Sequence, residues 1–419
     1  MGRIRTGSTI VLAVGVLCVS TACGGSSDDS SSGGGGGGGS SEPLKIGVIN
    51  PFSGATASGG VAVTEGYEVA VDEINAKGGV MGRQVELVRG DAGTPDAGIS
   101  EVNRLATSEN VDMFMGTYLS AISNTASQTA ARSNLLYWET NSLASDLTDR
   151  GLANFIRVGA DSGSFAKVSV DSLQSVVLPA LGADVKGTRV CLTHEQSIYG
   201  TSVADTQKGL LEKAGAVVTD EVAYDPAAAD LGNVIVRCQQ ANSQVWISTG
   251  YSSDSNLLLR TAAQQGFKPE ATMLVGSGDT SETLKAVPAD ALNAVYVTAF
   301  AHGDAAEAYA PGMQDFLAAY KKKYNKDVTF PQTTVAYAGA MVLFEALEKA
   351  GSTDPAAVQK AAASLDEPLG STATGFGVQF DDKFQNTLAL PTLVQWQSGA
   401  LVTVYPEDAA PEGAKPITP

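Results

Sequence analysis

Short, nearly continuous apolar runs, among them KIGVIN over 45–50, VDMFMG over 111–116 and LLYWE over 135–139, are separated in this chain by longer stretches with apolar residues at helical spacing. Continuous runs suit strands buried on both faces, and the longer amphipathic stretches suit the helices that cover them. The pattern predicts strand 45–50, a loop over 51–60, helix 64–77, strand 84–89, helix 96–109, strand 111–116, helix 120–133 and strand 135–139. Val69, Ala70, Ile74 and Ala76 form the apolar side of the first helix, and Gly78-Gly79 stops it.

A second round begins after 155–159: helix 164–181, strand 189–193, a helix running to 215, strand 217–224, helix 231–241, strand 245–249, helix 255–265 and strand 272–276. Strand 294–299 leaves it, followed by helices 308–324, 334–350 and 355–365 and strands near 377–380 and 388–397. Strand-helix alternation at this spacing means parallel sheets with helices on both faces. The expected fold class is therefore α/β: two doubly wound lobes, one over 44–160 and 304–385, the other over 161–303 and 386–405, with a tail at 406–419. Several crossings between lobes suit hinged closure around a guest.

Ligands of open parallel sheets sit outside the carboxyl ends of the strands. Here the loops TYLSAIS (117–123) and TNSLAS (140–145) occupy such ends and are dense in small hydroxyl and amide side chains. The first opens a helix, whose free N–H groups hold a polar head well. Ser120 is accordingly expected to contact a ligand, the bland alternative being an ordinary helix cap.

The amino terminus departs from the pattern. Arg3 and Arg5 precede an apolar run at 8–19, too short to span a bilayer but right for a secretory signal. The run ends at Ser20-Thr21-Ala22-Cys23, which resembles a bacterial lipoprotein signal over 1–22, with Cys23 as the lipidated first residue and Ser20 where Leu is usual. Residues 24–43 are nearly all Ser, Gly and Asp, with seven consecutive glycines at 33–39. A segment of that kind is a flexible tether with an r.m.s. reach of roughly 25 Å; the tether as a whole is taken as 23–43. Together they predict a body held at the outer face of a bacterial cytoplasmic membrane.

At 419 residues, 43% hydrophobic and 17% charged, the chain has room for two full cores. Its formal net charge of −18 becomes two units more negative once the signal is removed, which argues against nucleic acid as a partner. Cys191 and Cys238 remain in an oxidising compartment, either bridged or as two separate buried thiols. Neither has the neighbours of a metal site, and no metal or cofactor is expected.

Several of these segments together resemble the type I periplasmic binding proteins of branched-chain amino-acid importers, the leucine/isoleucine/valine-binding family. They are KIGVINPFSG (45–54), EINAKGGVMGRQVEL (73–87), FMGTYLSAIS (114–123), IYG (198–200) and STGY (248–251), and the likeness extends from 45 to 397. It implies two Rossmann-like lobes joined by three crossings, a small-molecule ligand between them, and an ABC permease as the partner of a monomeric receptor. Its ligand carboxylate position matches Ser120, with Ala121 behind it. Its ammonium positions match Asn141, Tyr251 and Asp279 of GSGD (276–279). Tyr118 and Tyr199 are expected as walls of the pocket. Three departures stand out: Leu143 replaces a Thr, Gly59 replaces an aromatic, and Trp138-Glu139 replaces Ser-Pro. A lost charge-assisted hydrogen bond costs about 1.5–3 kcal/mol, so Glu139 or Ser142 would have to compensate for Leu143. The ligand is left open among branched-chain or other amino acids, amides and small organic acids.

An enzyme is not expected. The two histidines, His194 and His302, have no Asp partner or nucleophile at a recognisable spacing, and no GxSxG or Walker pattern and no GxGxxG between a strand and a helix occurs. Glu195, beside His194, belongs to a loop bordering the cleft. The reading is a substrate-binding protein of an importer, the alternative an extracytoplasmic sensor without transport.

Overall fold

The computed structural model describes residues 42–419. The signal, Cys23 and most of the tether lie outside the described residues. The first sheet contains β1 (Leu44–Asn50), β2 (Val85–Asp91), β3 (Met113–Gly116), β4 (Tyr137–Glu139) and β5 (Phe155–Arg157), ordered β2-β1-β3-β4-β5 and parallel throughout. The second begins with β6 (Arg189–Glu195), β7 (Val217–Tyr224), β8 (Val245–Thr249), β9 (Ala271–Val275) and β10 (Tyr296–Ala299). After a short pair, β11 (Asp366–Glu367) and β12 (Val378–Gln379), the chain adds β13 (Thr392–Gln397) and β14 (Ala400–Tyr405) antiparallel to its edge, giving β14-β13-β10-β9-β8-β6-β7. Both parallel blocks reverse strand order in the same way, between β1 and β3 and between β6 and β8. Such switch points open a crevice at the carboxyl ends.

Each sheet is the floor of its own lobe. In the first, Val48, Met115 and Trp138 pack with Leu343, Phe344 and Leu347 from helix Gln332–Ala350, which lies against helix Ala57–Ala76. In the second, Leu192, Ile247 and Met273 pack with Phe165, Val170 and Leu211. The chain passes to the second sheet after β5, returns after β10 into helix Gln332–Ala350, and passes again before β13. Two connections run side by side: Gln385 Nε2 donates to Gly159 O at 2.9 Å and Asn386 Nδ2 to Val158 O at 3.0 Å.

The first helix begins at Ala57, inside the stretch expected as a loop over 51–60. Its glycines serve close approach, not a turn. A Cβ on Gly60 would lie 2.0 Å from Pro51 O, and one on Gly59 would lie 2.3 Å from the Tyr118 ring. β14 was not anticipated; Ser398 and Gly399, both at positive φ, turn the chain from β13 straight into it. The segment read as a tail is tied to β13: Gln395 Nε2 donates to Ile417 O at 2.7 Å and Ile417 N to Gln395 Oε1 at 2.8 Å.

Cys191 of β6 and Cys238 of helix Gly232–Gln240 are joined as a disulfide, with Cα atoms 5.6 Å apart. Of the two alternatives for these thiols, the structure has the bridge. The three tryptophans are buried, each with its N–H satisfied: Trp138 on Gly339 O, Trp246 on Thr193 Oγ1 and Trp396 on Gly278 O. No helix among the described residues is long and apolar enough to cross a membrane.

Candidate functional site

The first wall of the inter-sheet cleft grows from the carboxyl ends of β3 and β4. Glu139, the last residue of β4, is completely buried, and Oε1 accepts from Thr117 N at 2.6 Å, Thr140 N at 2.9 Å, Asn141 N at 2.9 Å and Ser142 N at 3.0 Å. Ser123 donates to Oε2. Burial pushes this carboxyl up, against the lowering effect of Ser123 and the backbone donors. Glu139 therefore cannot compensate for Leu143 toward a ligand; its lone pairs are committed to the two loops. Ser142 Oγ donates to Thr117 O at 2.6 Å, and Ser142 is not among the residues lining the pocket. The carbonyls of Ser142 and Ala144 are taken by buried Arg157 at 3.1 and 2.7 Å, with its pKa lowered to about 10 by burial.

Ser120 opens helix Ser120–Arg132, but its hydroxyl does not cap that helix. Oγ accepts from Leu143 N at 3.1 Å and Ala144 N at 3.2 Å. With both lone pairs used, the hydroxyl proton remains available to the cleft. Asn141 donates Nδ2 to Thr140 Oγ1 at 2.8 Å, and its buried Oδ1 has no partner.

The second wall comes from β6, β8 and β9. Glu195 holds its own loop, accepting from Ser197 N and Oγ at 2.7 Å each and from Gly200 N at 2.6 Å. Tyr199, placed by that loop, donates its hydroxyl to Val275 O at 2.9 Å. Gly276 beside it has φ +74°, and a Cβ there would lie 2.1 Å from the Tyr199 hydroxyl, so only glycine fits. Tyr251, after β8, is anchored through its backbone N–H to Asp254 at 3.1 and 3.2 Å. Burial raises the Asp254 carboxyl to about 7, opposed by the Tyr224 hydroxyl.

Three tyrosine rings meet between the walls. Tyr251 lies 5.6 Å from Tyr118 and 5.2 Å from Tyr199, centroid to centroid. The space over Gly59, where an aromatic was missing, is filled by the Tyr118 ring itself. Under the rings is a small cavity of about 20 Å³ lined by Tyr118, Ser120, Asn141, Leu143, Tyr199, Tyr251, Gly276, Phe300 and Gln332. That is room for about one water between the side chains as they stand. Six of the ten residues singled out from sequence face it: Tyr118, Ser120, Asn141, Leu143, Tyr199 and Tyr251. Ala121, Glu139, Ser142 and Asp279 do not.

Asp279 lines a separate cavity of about 370 Å³ with Phe330 and Trp396, where its Oδ2 is 3.0 Å from His302 Nε2. Spacing along the chain pointed to no Asp partner for either histidine; folding brings Asp279 to His302 from 23 residues away. Phe300 and Gln332 were missed. Phe300 immediately follows β10, so the strand-end rule already pointed to it. Gln332 enters from the return crossing, which no local pattern reveals.

The site is thus a cleft between two α/β lobes, with an uncharged polar pocket at both switch points. Residues 43–400 match the model of the periplasmic binding proteins, and the chain belongs to that family. It is 38% identical over 371 residues to a Leu/Ile/Val-binding protein homolog 7 of Brucella suis biovar 1, covering 88% of this chain and 93% of that one. Among solved structures it resembles the branched-chain amino acid substrate-binding protein LivJ of Streptococcus pneumoniae in complex with isoleucine, with TM-score 0.73, 19% identity and coverage of 90% and 100%. A solute-binding protein from R. palustris in complex with benzoate matches with TM-score 0.72, 15% identity and coverage of 90% and 99%. Membership implies an extracytoplasmic location.

Proposed function

We propose that this protein is the lipid-anchored receptor of an ABC importer, capturing a small polar solute in the tyrosine-roofed pocket and presenting it to a membrane permease. The observation that carries the reading is the pocket itself: polar groups from the first sheet, aromatic rings from both, at the carboxyl ends of both parallel blocks. A guest touching both walls binds the closed form better than the open one and shifts the population toward it. Direct closure contacts support this: Tyr251 meets Tyr118 across the cleft, and Ser58 Oγ donates to Glu282 at 3.4 Å. Residues 1–22 would act as signal, Cys23 as anchor and 23–43 as tether for a monomeric body, with lobes divided near 160, 304 and 385.

The test is a thermal-shift screen of amino acids, amides and small carboxylates. A ligand at about 100 times its Kd stabilises by about 2.7 kcal/mol. Ser120→Ala and Tyr251→Ala should each weaken the best hit; unchanged affinity in both would remove the site. Labelling with a palmitate analogue should mark the wild-type chain and not Cys23→Ser.

A further inference from the structure

We infer that Leu143 sets the size of the solute: reaching across the cleft, it takes up the space that a longer guest would need and restricts the pocket to solutes with a short apolar part. The inference rests on the reading above that this pocket takes the solute, and names what limits it.

Leu143 belongs to the loop after β4, yet its side chain packs with the other lobe. Its loop neighbours Ala144 and Leu147 lie in the apolar cluster of the first sheet, with Ile49, Phe114 and Tyr137. Leu143 lies instead in the cluster of the second, with Tyr199, Val275 and Phe300. The reach shows at Gly276, the residue after β9, where a Cβ would stand 3.8 Å from Leu143 Cδ1, an ordinary van der Waals distance. Leu143 is 6% exposed and lines the cavity of about 20 Å³ together with Tyr199, Gly276 and Phe300.

Its position is held from both ends. Leu143 N donates to Ser120 Oγ at 3.1 Å, and Leu143 O accepts from Ser162 N, which opens helix Ser162–Ser172, at 2.6 Å. With the backbone bonded on each side, the side chain has a set direction. The wall it faces is set as well, because the Tyr199 hydroxyl is tied to Val275 O at 2.9 Å and Phe300 is buried. In the closed cleft the gap between Leu143 and that wall is a fixed dimension, and each carbon a guest adds along it must displace packed side chains. Close-packed interiors resist added methylenes. Truncating Leu143 would leave apolar space in its place, and a dry apolar cavity takes an apolar guest.

The experiment compares guests that differ only in length. Two straight-chain series are titrated by calorimetry into the full mature chain and its variants: the amino acids glycine, alanine, 2-aminobutyrate, norvaline and norleucine, and the carboxylates from acetate to hexanoate. In whichever series binds, affinity for the wild type should peak at a short member and fall beyond it. In Leu143→Ala the peak should move about two to three carbons longer, each of those carbons adding about fourfold, the worth of a buried methylene. Leu143→Val, a milder change in packing, should move it by about one carbon. Leu147→Ala is the control: it opens the first-sheet cluster, so it should lower the unfolding midpoint and leave the peak where it was. The same peak in the wild type and both Leu143 variants, with binding lost in Ser120→Ala, overturns the role of Leu143 and leaves the receptor reading standing. A peak moved equally by Leu147→Ala overturns it too, since general loosening would then account for the shift. Binding that ignores Ser120→Ala overturns the pocket itself, as does absence of binding by both series.

Discussion

On the first-sheet side of the cleft one buried carboxylate, Glu139, gathers four backbone N–H groups and a serine hydroxyl, whereas on the second-sheet side Tyr251 is hydrogen-bonded through its backbone N–H and its ring is held by packing against Tyr118 and Tyr199. The first wall resembles a fixed template whose loops have no freedom to re-aim their polar groups. The second carries a ring whose place is set by packing between the lobes. The contrast predicts a division of selectivity and mobility between the lobes: the hydrogen-bonded wall discriminates, and the packed wall yields when the cleft opens.

Four experiments test this division. Glu139→Ala should do most damage, since several buried N–H groups lose their acceptor at about 1–3 kcal/mol each. Urea unfolding should show at least about 4 kcal/mol lost, with a smaller loss for Glu139→Gln, which keeps one carbonyl. A loss below about 1 kcal/mol would show that the loops hold themselves. Next, replacing both Cys191 and Cys238 by Ala should cost the second lobe about 2–4 kcal/mol, visible as its unfolding ahead of the first lobe. A single unsplit transition at lower denaturant would mean that the lobes unfold as one unit.

Tyr251→Ala should weaken the best ligand about tenfold, equivalent to about 1.4 kcal/mol, while the unfolding midpoint stays close to that of the wild type. A large stability loss would make this ring part of the core instead of a movable lid. The smallest effect concerns pH. Asp254 has a folded pKa of about 7 against an ordinary value of 3.8, so the native state holds a proton that the unfolded chain releases. Its contribution to stability therefore falls as pH rises between those two values and then levels off. From about pH 6 to about pH 8 that amounts to about 1 kcal/mol, and Asp254→Asn should flatten the slope by that amount.

The strands and their order of appearance were legible because short continuous apolar runs such as MFMG and VWIST, alternating with amphipathic stretches, suit strands buried on both faces. Ser120, Tyr199 and Tyr251 were legible from their places after strands in recognisable segments. What failed depended on contacts distant in sequence. Glu139 sits where a strand-end acid looks ligand-facing, and only the converging N–H groups of two loops show otherwise. Gly59 read as a missing aromatic because its partner, Tyr118, lies on another strand's loop. Gln332 arrives from more than a hundred residues beyond the β6 loop, and Asp279 finds His302 across a turn of the second sheet. In each case the side chain was visible and its direction was not.

The burial of all three indoles decides how the molecule can be watched. Trp138, Trp246 and Trp396 are sealed in the two lobes and none borders the tyrosine-lined cavity. Emission excited at wavelengths only indoles absorb will therefore be nearly silent when a guest arrives, even at saturation. Moving the chromophore to the lid, as in Tyr251→Trp, would give the cleft an optical signal of its own against a constant background from the cores.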